Sequence, residues 1–313
     1  MTQNNLRNLR MAFVFPGQGS QSPGMGKDLA ENFPVARQVF EEADDALGFA
    51  ISRLCFDGPA EDLQLTENTQ PAILTVSVAA FRAMQETGVD APAFVAGHSL
   101  GEYSALVAAG ALSLTDAVRT VRARGRYMQE AVPVGTGAMA AVIGGDLEAI
   151  ERICAEARGD QVCSIANINA PNQVVIAGNT EAVDRAVELL SGVARKVVKL
   201  KVSAPFHCAL MKPAQDRLAL DLAALNFSGP AMPVVTNVDA RATKAPDELR
   251  DALVRQVSAP VRWVESMQLL IEQGVERLVE VGPGKVLSGL MRQISRDVKM
   301  LNVEDAASLQ QIE

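Results

Sequence analysis

Short apolar runs alternate with longer amphipathic segments along most of the chain. Met11–Phe15, Ala93–Ala96, Pro233–Asn237 and Val275–Val281 read as strands, and Ser22–Leu47 and Thr69–Thr87 as two of the clearest helical stretches between them. That alternation predicts an α/β protein with a mainly parallel sheet. Residues 132–202 follow another order: strand Gly137–Ile143, helix Leu147–Arg158, strands Val162–Asn167 and Gln173–Ala177, helix Glu181–Leu190 and strand Arg195–Val202. The sequence βαββαβ is the ferredoxin-like pattern. A small inserted domain is therefore expected over 132–202, flanked by Gly135-Thr136-Gly137 and Pro205, with a cleft against the larger domain.

One strand-to-helix junction carries candidate chemistry. Gly97-His98-Ser99-Leu100-Gly101 has G-x-S-x-G spacing between the apolar run ending at Ala96 and an alanine-rich helical segment, Glu102–Ala109. Glycines on either side permit a sharp turn that exposes a serine and leaves the following amide open to a reacting carbonyl. A tight structural turn has the same spacing. A serine needs a base to attack at neutral pH, and the chain holds two histidines. His98 adjoins Ser99 on the turn, where neighbouring side chains diverge, which leaves His207. Cys208, beside it, should point to the opposite face of an extended segment.

Other segments admit more than one reading. Pro16-Gly17-Gln18-Gly19-Ser20-Gln21 offers free backbone amides after the first strand. It misses the dinucleotide pattern G-x-G-x-x-G because Ser22 stands where the third glycine belongs. An oxyanion hole suits it, since the Leu100 amide supplies only one donor; so does a simple turn. Gly282-Pro283-Gly284-Lys285 lacks both the hydroxyl residue after the lysine and a glycine at Val279, so it is no phosphate loop. Arg119, Arg122, Arg124 and Arg126 share a helical pattern, Thr115–Glu130, which reads as a solvated basic face. A single arginine turned into the cleft would suit a substrate carboxylate, because its planar head donates two parallel hydrogen bonds.

Composition narrows the field. The chain has 313 residues, 48% of them hydrophobic, enough for a large core. Its net charge of −8 disfavours general nucleic-acid binding, and no run approaches the length of a membrane span. Cys55, Cys154, Cys163 and Cys208 form neither a C-x-x-C pair nor a disulfide framework, which points to the cytoplasm. Met1–Asn8 reads as part of a flexible extension over 1–10, with no signal-peptide core behind it.

Read in order, Phe15-Pro16-Gly17-Gln18-Gly19-Ser20-Gln21, Gly97-His98-Ser99-Leu100-Gly101-Glu102-Tyr103, Arg124-Gly125 with Met128-Gln129, Asn167-Ile168-Asn169-Ala170-Pro171, Ala204-Pro205-Phe206-His207 and Val279-Glu280-Val281-Gly282-Pro283-Gly284 resemble the malonyl-CoA:acyl-carrier-protein transacylases of bacterial fatty-acid synthesis. The resemblance runs from about residue 11 to 303. It implies an α/β-hydrolase-like catalytic domain over 11–131 and 203–305, with the ferredoxin-like domain between. It implies a ping-pong reaction through a malonyl-Ser99 ester, with His207 as base and then acid, and Gln256 orienting His207 by its backbone carbonyl. The amides of Gln18 and Leu100 would form the oxyanion hole, Arg124 would hold the malonyl carboxylate, and Asn167, Asn169 and Phe206 would line the site. Leu100 and Phe206 resemble malonyl-selective rather than methylmalonyl-selective members. No cofactor or metal is implied beyond the substrates malonyl-CoA and phosphopantetheinylated acyl carrier protein, and a monomer is expected. Because carrier proteins are acidic, Arg195, Lys196, Lys199 and Lys201 are expected as a docking surface; lysines guarding an exposed strand edge would look the same.

Overall fold

The computed structural model describes residues 10–202 and 204–312, so the extension expected over 1–10 lies, apart from Arg10, outside the described residues. Ten strands are described: β1 (Met11–Phe15), β2 (Phe94–Gly97), β3 (Gly137–Ile143), β4 (Cys163–Ala170), β5 (Gln173–Asn179), β6 (Lys196–Lys199), β7 (Val234–Val235), β8 (Ala242–Thr243), β9 (Arg277–Val281) and β10 (Lys299–Val303). They form two sheets. The larger has the order β10-β9-β1-β2-β7-β8 and is parallel except for the β7–β8 pair; the smaller, β4-β5-β3-β6, is antiparallel throughout.

Every residue of β1, β2 and β9 is buried, because helices cover both faces of the parallel sheet. Glu280 is a polar exception inside β9. Its carboxylate accepts from the Leu287 and Ser288 amides at 2.9 and 2.8 Å, where the helix Val286–Ile294 begins with unsatisfied donors.

The small sheet follows the two-residue period of a strand. On β5, Val174 and Ile176 pack with Ile150, Ala182 and Leu190 of the helices Leu147–Arg158 and Thr180–Leu190. Val175 and Ala177, on the alternate face, join the large core with Met139 and Ala166. The small sheet is also tied by backbone to the segment before the helix Trp263–Glu272: Ile168 donates to the Val261 carbonyl at 2.9 Å and Val261 to that of Ala166 at 2.9 Å.

Several expected boundaries change for local reasons. The stretch Ser22–Leu47 is two helices, Lys27–Asn32 and Pro34–Leu47, separated by an extended Phe33, since a residue before proline is driven out of helical conformation. The strand expected over Pro233–Asn237 shrinks to two residues because Thr236 turns the chain, donating to Arg241 and accepting from Ala240. The strand expected over Arg195–Val202 keeps regular pairing only across Lys196–Lys199. Among the described residues, no helix is long and apolar enough to cross a membrane.

Candidate active site

β2 runs into the turn at Ser99 and out into the helix Gly101–Ala108. The flanking glycines are dictated by space. A Cβ on Gly97 would fall 1.9 Å from the carbonyl of Gly101, and one on Gly101 would fall 2.2 Å from the Phe15 oxygen. Ser99 itself has φ of 53°, a left-handed conformation that is strained for a side chain. Two buried side chains hold it there. Asn237 accepts from the Ser99 amide at 2.7 Å and donates to the Gly97 carbonyl at 2.7 Å, while Gln256 donates to the Ser99 carbonyl at 3.0 Å.

His207 meets this turn from the segment after the small sheet, with Nε2 2.7 Å from Ser99 Oγ. Its Nδ1 lies 2.9 Å from the Gln256 main-chain oxygen. A carbonyl can only accept, so Nδ1 carries the proton and Nε2 presents a lone pair to the serine hydroxyl. Burial, and next the Arg124 cation, lower the His207 pKa to about 3, so the ring is neutral at pH 7. The pair can therefore pass the Ser99 proton to His207 when Oγ attacks.

His207 has φ of 59°, so the chain turns here instead of running extended. This corrects the reason Cys208 is no rival to Ser99. Its thiol is buried, donates to the Pro205 oxygen at 3.1 Å and is pushed by burial to a pKa of about 11. His98 is equally committed: Nε2 lies 2.8 Å from Asn169 Oδ1, and the ring packs 5.4 Å from that of Trp263.

Arg124 leaves its helix, Leu114–Glu130, on the buried side and is 1% exposed. It donates to Gln70 Oε1 at 2.7 Å, Gln256 Oε1 at 2.9 Å and Ser99 Oγ at 3.2 Å. All three acceptors are uncharged. Arg119 and Arg126, on the same helix, are exposed, as a solvated face requires.

A cleft of about 730 Å³ of open space joins these groups. Gln18, Ser99, Arg124, Asn167, Phe206 and His207 line it, and Met139, Val175, Leu200 and Val202 form its wall on the small-sheet side. The main-chain amides of Gln18 and Leu100 donate to no protein acceptor among the described residues. Asn167 is buried in the wall; Asn169 is also in the lining, but its oxygen is taken by His98. Arg195, Lys196, Lys199 and Lys201 are exposed beside this wall, with Lys199 ion-paired to Asp184.

Three residues of the site have no role assigned from the chain alone. Gln70 positions Arg124, Asn237 brackets the turn, and Glu102 lies fully buried beneath it. Glu102 Oε2 accepts from Gln256 Nε2 at 2.8 Å and the Asn237 amide at 2.9 Å. Burial pushes its carboxyl up to about 7 against those hydrogen bonds.

These two shifted groups act oppositely on stability. Between pH 3 and 6.5 the unfolded chain binds a proton at His207 that the folded chain refuses, so stability falls as pH drops. Between 4.5 and 7 the folded chain keeps a proton on Glu102 that the unfolded chain releases, so stability falls as pH rises. Each slope approaches about 1.4 kcal/mol per pH unit. E102Q removes the second, and its unfolding free energy should climb more steeply than wild type between pH 4.5 and 6.5. Urea titrations at pH 5 and 6 check this; equal slopes would contradict it.

The site can be set beside known proteins. A family model for the acyl transferase domain matches residues 12–312. The malonyl CoA-acyl carrier protein transacylase of Escherichia coli (strain K12) is 54% identical over 286 residues, covering 91% of this chain and 93% of that protein. The crystal structure of an acyl carrier protein S-malonyltransferase from Vibrio cholerae superposes with a TM-score of 0.96 at 50% identity, covering 97% of this chain and all of that one (100%). A malonyl-transacylase in complex with a type II PKS acyl-carrier protein gives 0.94 at 50% identity, covering 97% and 98%. With a match across nearly its whole length and relatives this similar, the chain belongs to the acyl transferase domain family.

Proposed function

We propose that this protein transfers the malonyl group of malonyl-CoA to the phosphopantetheine thiol of acyl carrier protein for fatty-acid elongation, through a malonyl ester on Ser99. The observation that carries the reading is Arg124: a buried guanidinium bonded, among the described residues, only to neutral acceptors, 3.2 Å from the hydroxyl beside His207. A cation so placed matches an acyl group that ends in a carboxylate.

Ser99 Oγ attacks the thioester carbon while its proton moves to His207 Nε2. The oxyanion rests on the amides of Gln18 and Leu100, which have no protein acceptor of their own among the described residues. The C–S bond breaks, His207 returns the proton to the leaving CoA thiolate, and the malonyl ester remains. The carrier thiol then attacks the ester, its proton passing to His207 and on to Ser99 Oγ as the C–O bond breaks. The Gln256 carbonyl stands where a triad carboxylate would, orienting the ring without adding charge.

The finer architecture belongs to the same proposal: an α/β-hydrolase-like core over 11–131 and 203–305 and a ferredoxin-like insertion over 132–202. The order β4-β5-β3-β6 with two helices on one face supports the second part. Radiolabelled malonyl-CoA tests the reaction. Label that stays on the protein until carrier protein removes it is the expected result; rapid release as free malonate would mean a hydrolase, and no label a non-catalytic scaffold.

The carrier protein docks on the lysine-bearing edge of the small sheet in this reading, since Leu200 and Val202 of the same segment line the cleft. Lys199 should contribute less than Lys196 and Lys201, because Asp184 already neutralises it. Reversing charge at Lys196 and Lys201 together should raise KM for carrier protein by about 10-fold, on the scale of one or two steering charges. Labelling by malonyl-CoA should not change. An unaltered KM would move the docking surface elsewhere.

A further inference from the structure

We infer that Glu102 is a positioning residue whose charge balances Arg124 in the empty site and is neutralised, by uptake of a proton from solvent, when a substrate carboxylate arrives. The inference rests on the malonyl-transfer reading.

A buried guanidinium needs a counter-charge, and a carboxylate in direct contact would occupy the face a substrate must use. Among the described residues, Arg124 touches no carboxylate. The nearest arrangement that satisfies both demands is the one present: Glu102 Oε2 accepts from Gln256 Nε2 at 2.8 Å, and Gln256 Oε1 accepts from Arg124 at 2.9 Å. A carboxylate can only accept, so it obliges Gln256 to turn its NH₂ towards Glu102 and its oxygen towards Arg124. The second Gln256 hydrogen goes to the Ser99 carbonyl, which fixes the same orientation. Charge on Glu102 thus reaches the cation across one amide, and among the described residues no carboxylate occupies the guanidinium's cleft side.

A second carboxylate changes the balance. With malonyl bound, one buried cation faces two anions, and like charges in a shared site drive one of them to protonate. Glu102 is equipped to be that one. Its Oε1 is buried with no hydrogen-bond partner among the described residues, so a proton can settle there while both bonds to Oε2 persist. Its pKa is already about 7 in the empty site. The charged and titratable groups acting on it are Arg124, Tyr103 on its own helix, and Asp239, which is held by Arg255. Only Arg124 is engaged by the substrate.

Glu102 then titrates at about 7 when the site is empty and higher when malonyl is bound. Proton uptake belongs to the pH range between those values. KM for malonyl-CoA should be constant below pH 7 and rise above it, by up to about tenfold per unit. Acetyl-CoA carries the same nucleotide and no acyl carboxylate, so its KM should not follow. In E102Q the malonyl profile should flatten to match acetyl. A buried residue with a purely structural role would alter both thioesters alike.

A malonyl profile in wild type that parallels acetyl, or one that E102Q leaves unchanged, would overturn the inference. If E102Q does not fold, calorimetry of S99A with each thioester, in buffers of different ionisation enthalpy at pH 8, decides the matter: malonyl-CoA should bind with more proton uptake than acetyl-CoA, and equal uptake would overturn it. Failure of wild type to take a malonyl label would instead count against the transferase reading itself.

Discussion

Ser99→Ala is expected to abolish covalent malonyl labelling and to lower malonyl transfer by about 10⁴- to 10⁶-fold, the scale on which a hydroxyl nucleophile and its base act as one unit. The fold should survive. The turn is held by main-chain bonds, Ser99 N to Asn237 and Ser99 carbonyl to Gln256, and neither uses the hydroxyl. His207→Ala should cost nearly as much, because Oγ then has no lone pair within 2.7 Å to receive its proton. The double variant should be little worse than either single one, since each has already disabled the same step. Intact-mass measurement of the malonyl adduct and transfer assays of the three variants check this. A persisting adduct on S99A, or a loss under about 100-fold, would place the nucleophile elsewhere.

The parts of this site differ in how far the chain discloses them. Local periodicity carries the small sheet: β3 and the helix Leu147–Arg158 fall where two-residue and 3.6-residue patterns place them. Long-range effects set what periodicity misses, such as the two-residue β7, cut short by the turn at Thr236. Ser99 announces itself through its glycines, since no other residue fits within 1.9 Å of a carbonyl. His207 is reached by scarcity among two histidines. Gln256 illustrates the limit: its decisive atom is a backbone oxygen, which every residue possesses. The roles of Glu102, Asn237 and Gln70 are invisible for a related reason. A buried polar side chain has meaning only through the donors and acceptors around it, and those come from segments 54 to 138 positions apart in the pairs Gln70–Arg124 and Ser99–Asn237.

Arg124→Ala should separate recognition of the acyl group from the chemistry of transfer. Malonyl transfer is expected to fall roughly 10²- to 10³-fold or more, the equivalent of about 3–5 kcal/mol for leaving one member of a buried ion pair without its partner. Acetyl transfer should be retained or improved. Two features of the site point that way. Arg124 is the second cause of His207's low basicity, so its removal raises the pKa from about 3 towards the ordinary value and makes the ring a better base. It also frees the Ser99 hydroxyl from the 3.2 Å contact with the guanidinium. The same variant should shift the acid limb of acetyl transfer to higher pH, because the base then protonates nearer neutrality. Some stability will be exchanged: Gln70 Oε1 and Gln256 Oε1 lose their donor, while a costly buried cation disappears. Thermal unfolding of the variant separates that effect from catalysis. Steady-state kcat/KM for malonyl-CoA and acetyl-CoA, measured with one carrier protein across pH 5 to 8, gives the result directly. Equal losses for both thioesters would remove the carboxylate clamp, and with it the reason to read this serine as a carrier of malonyl groups in particular.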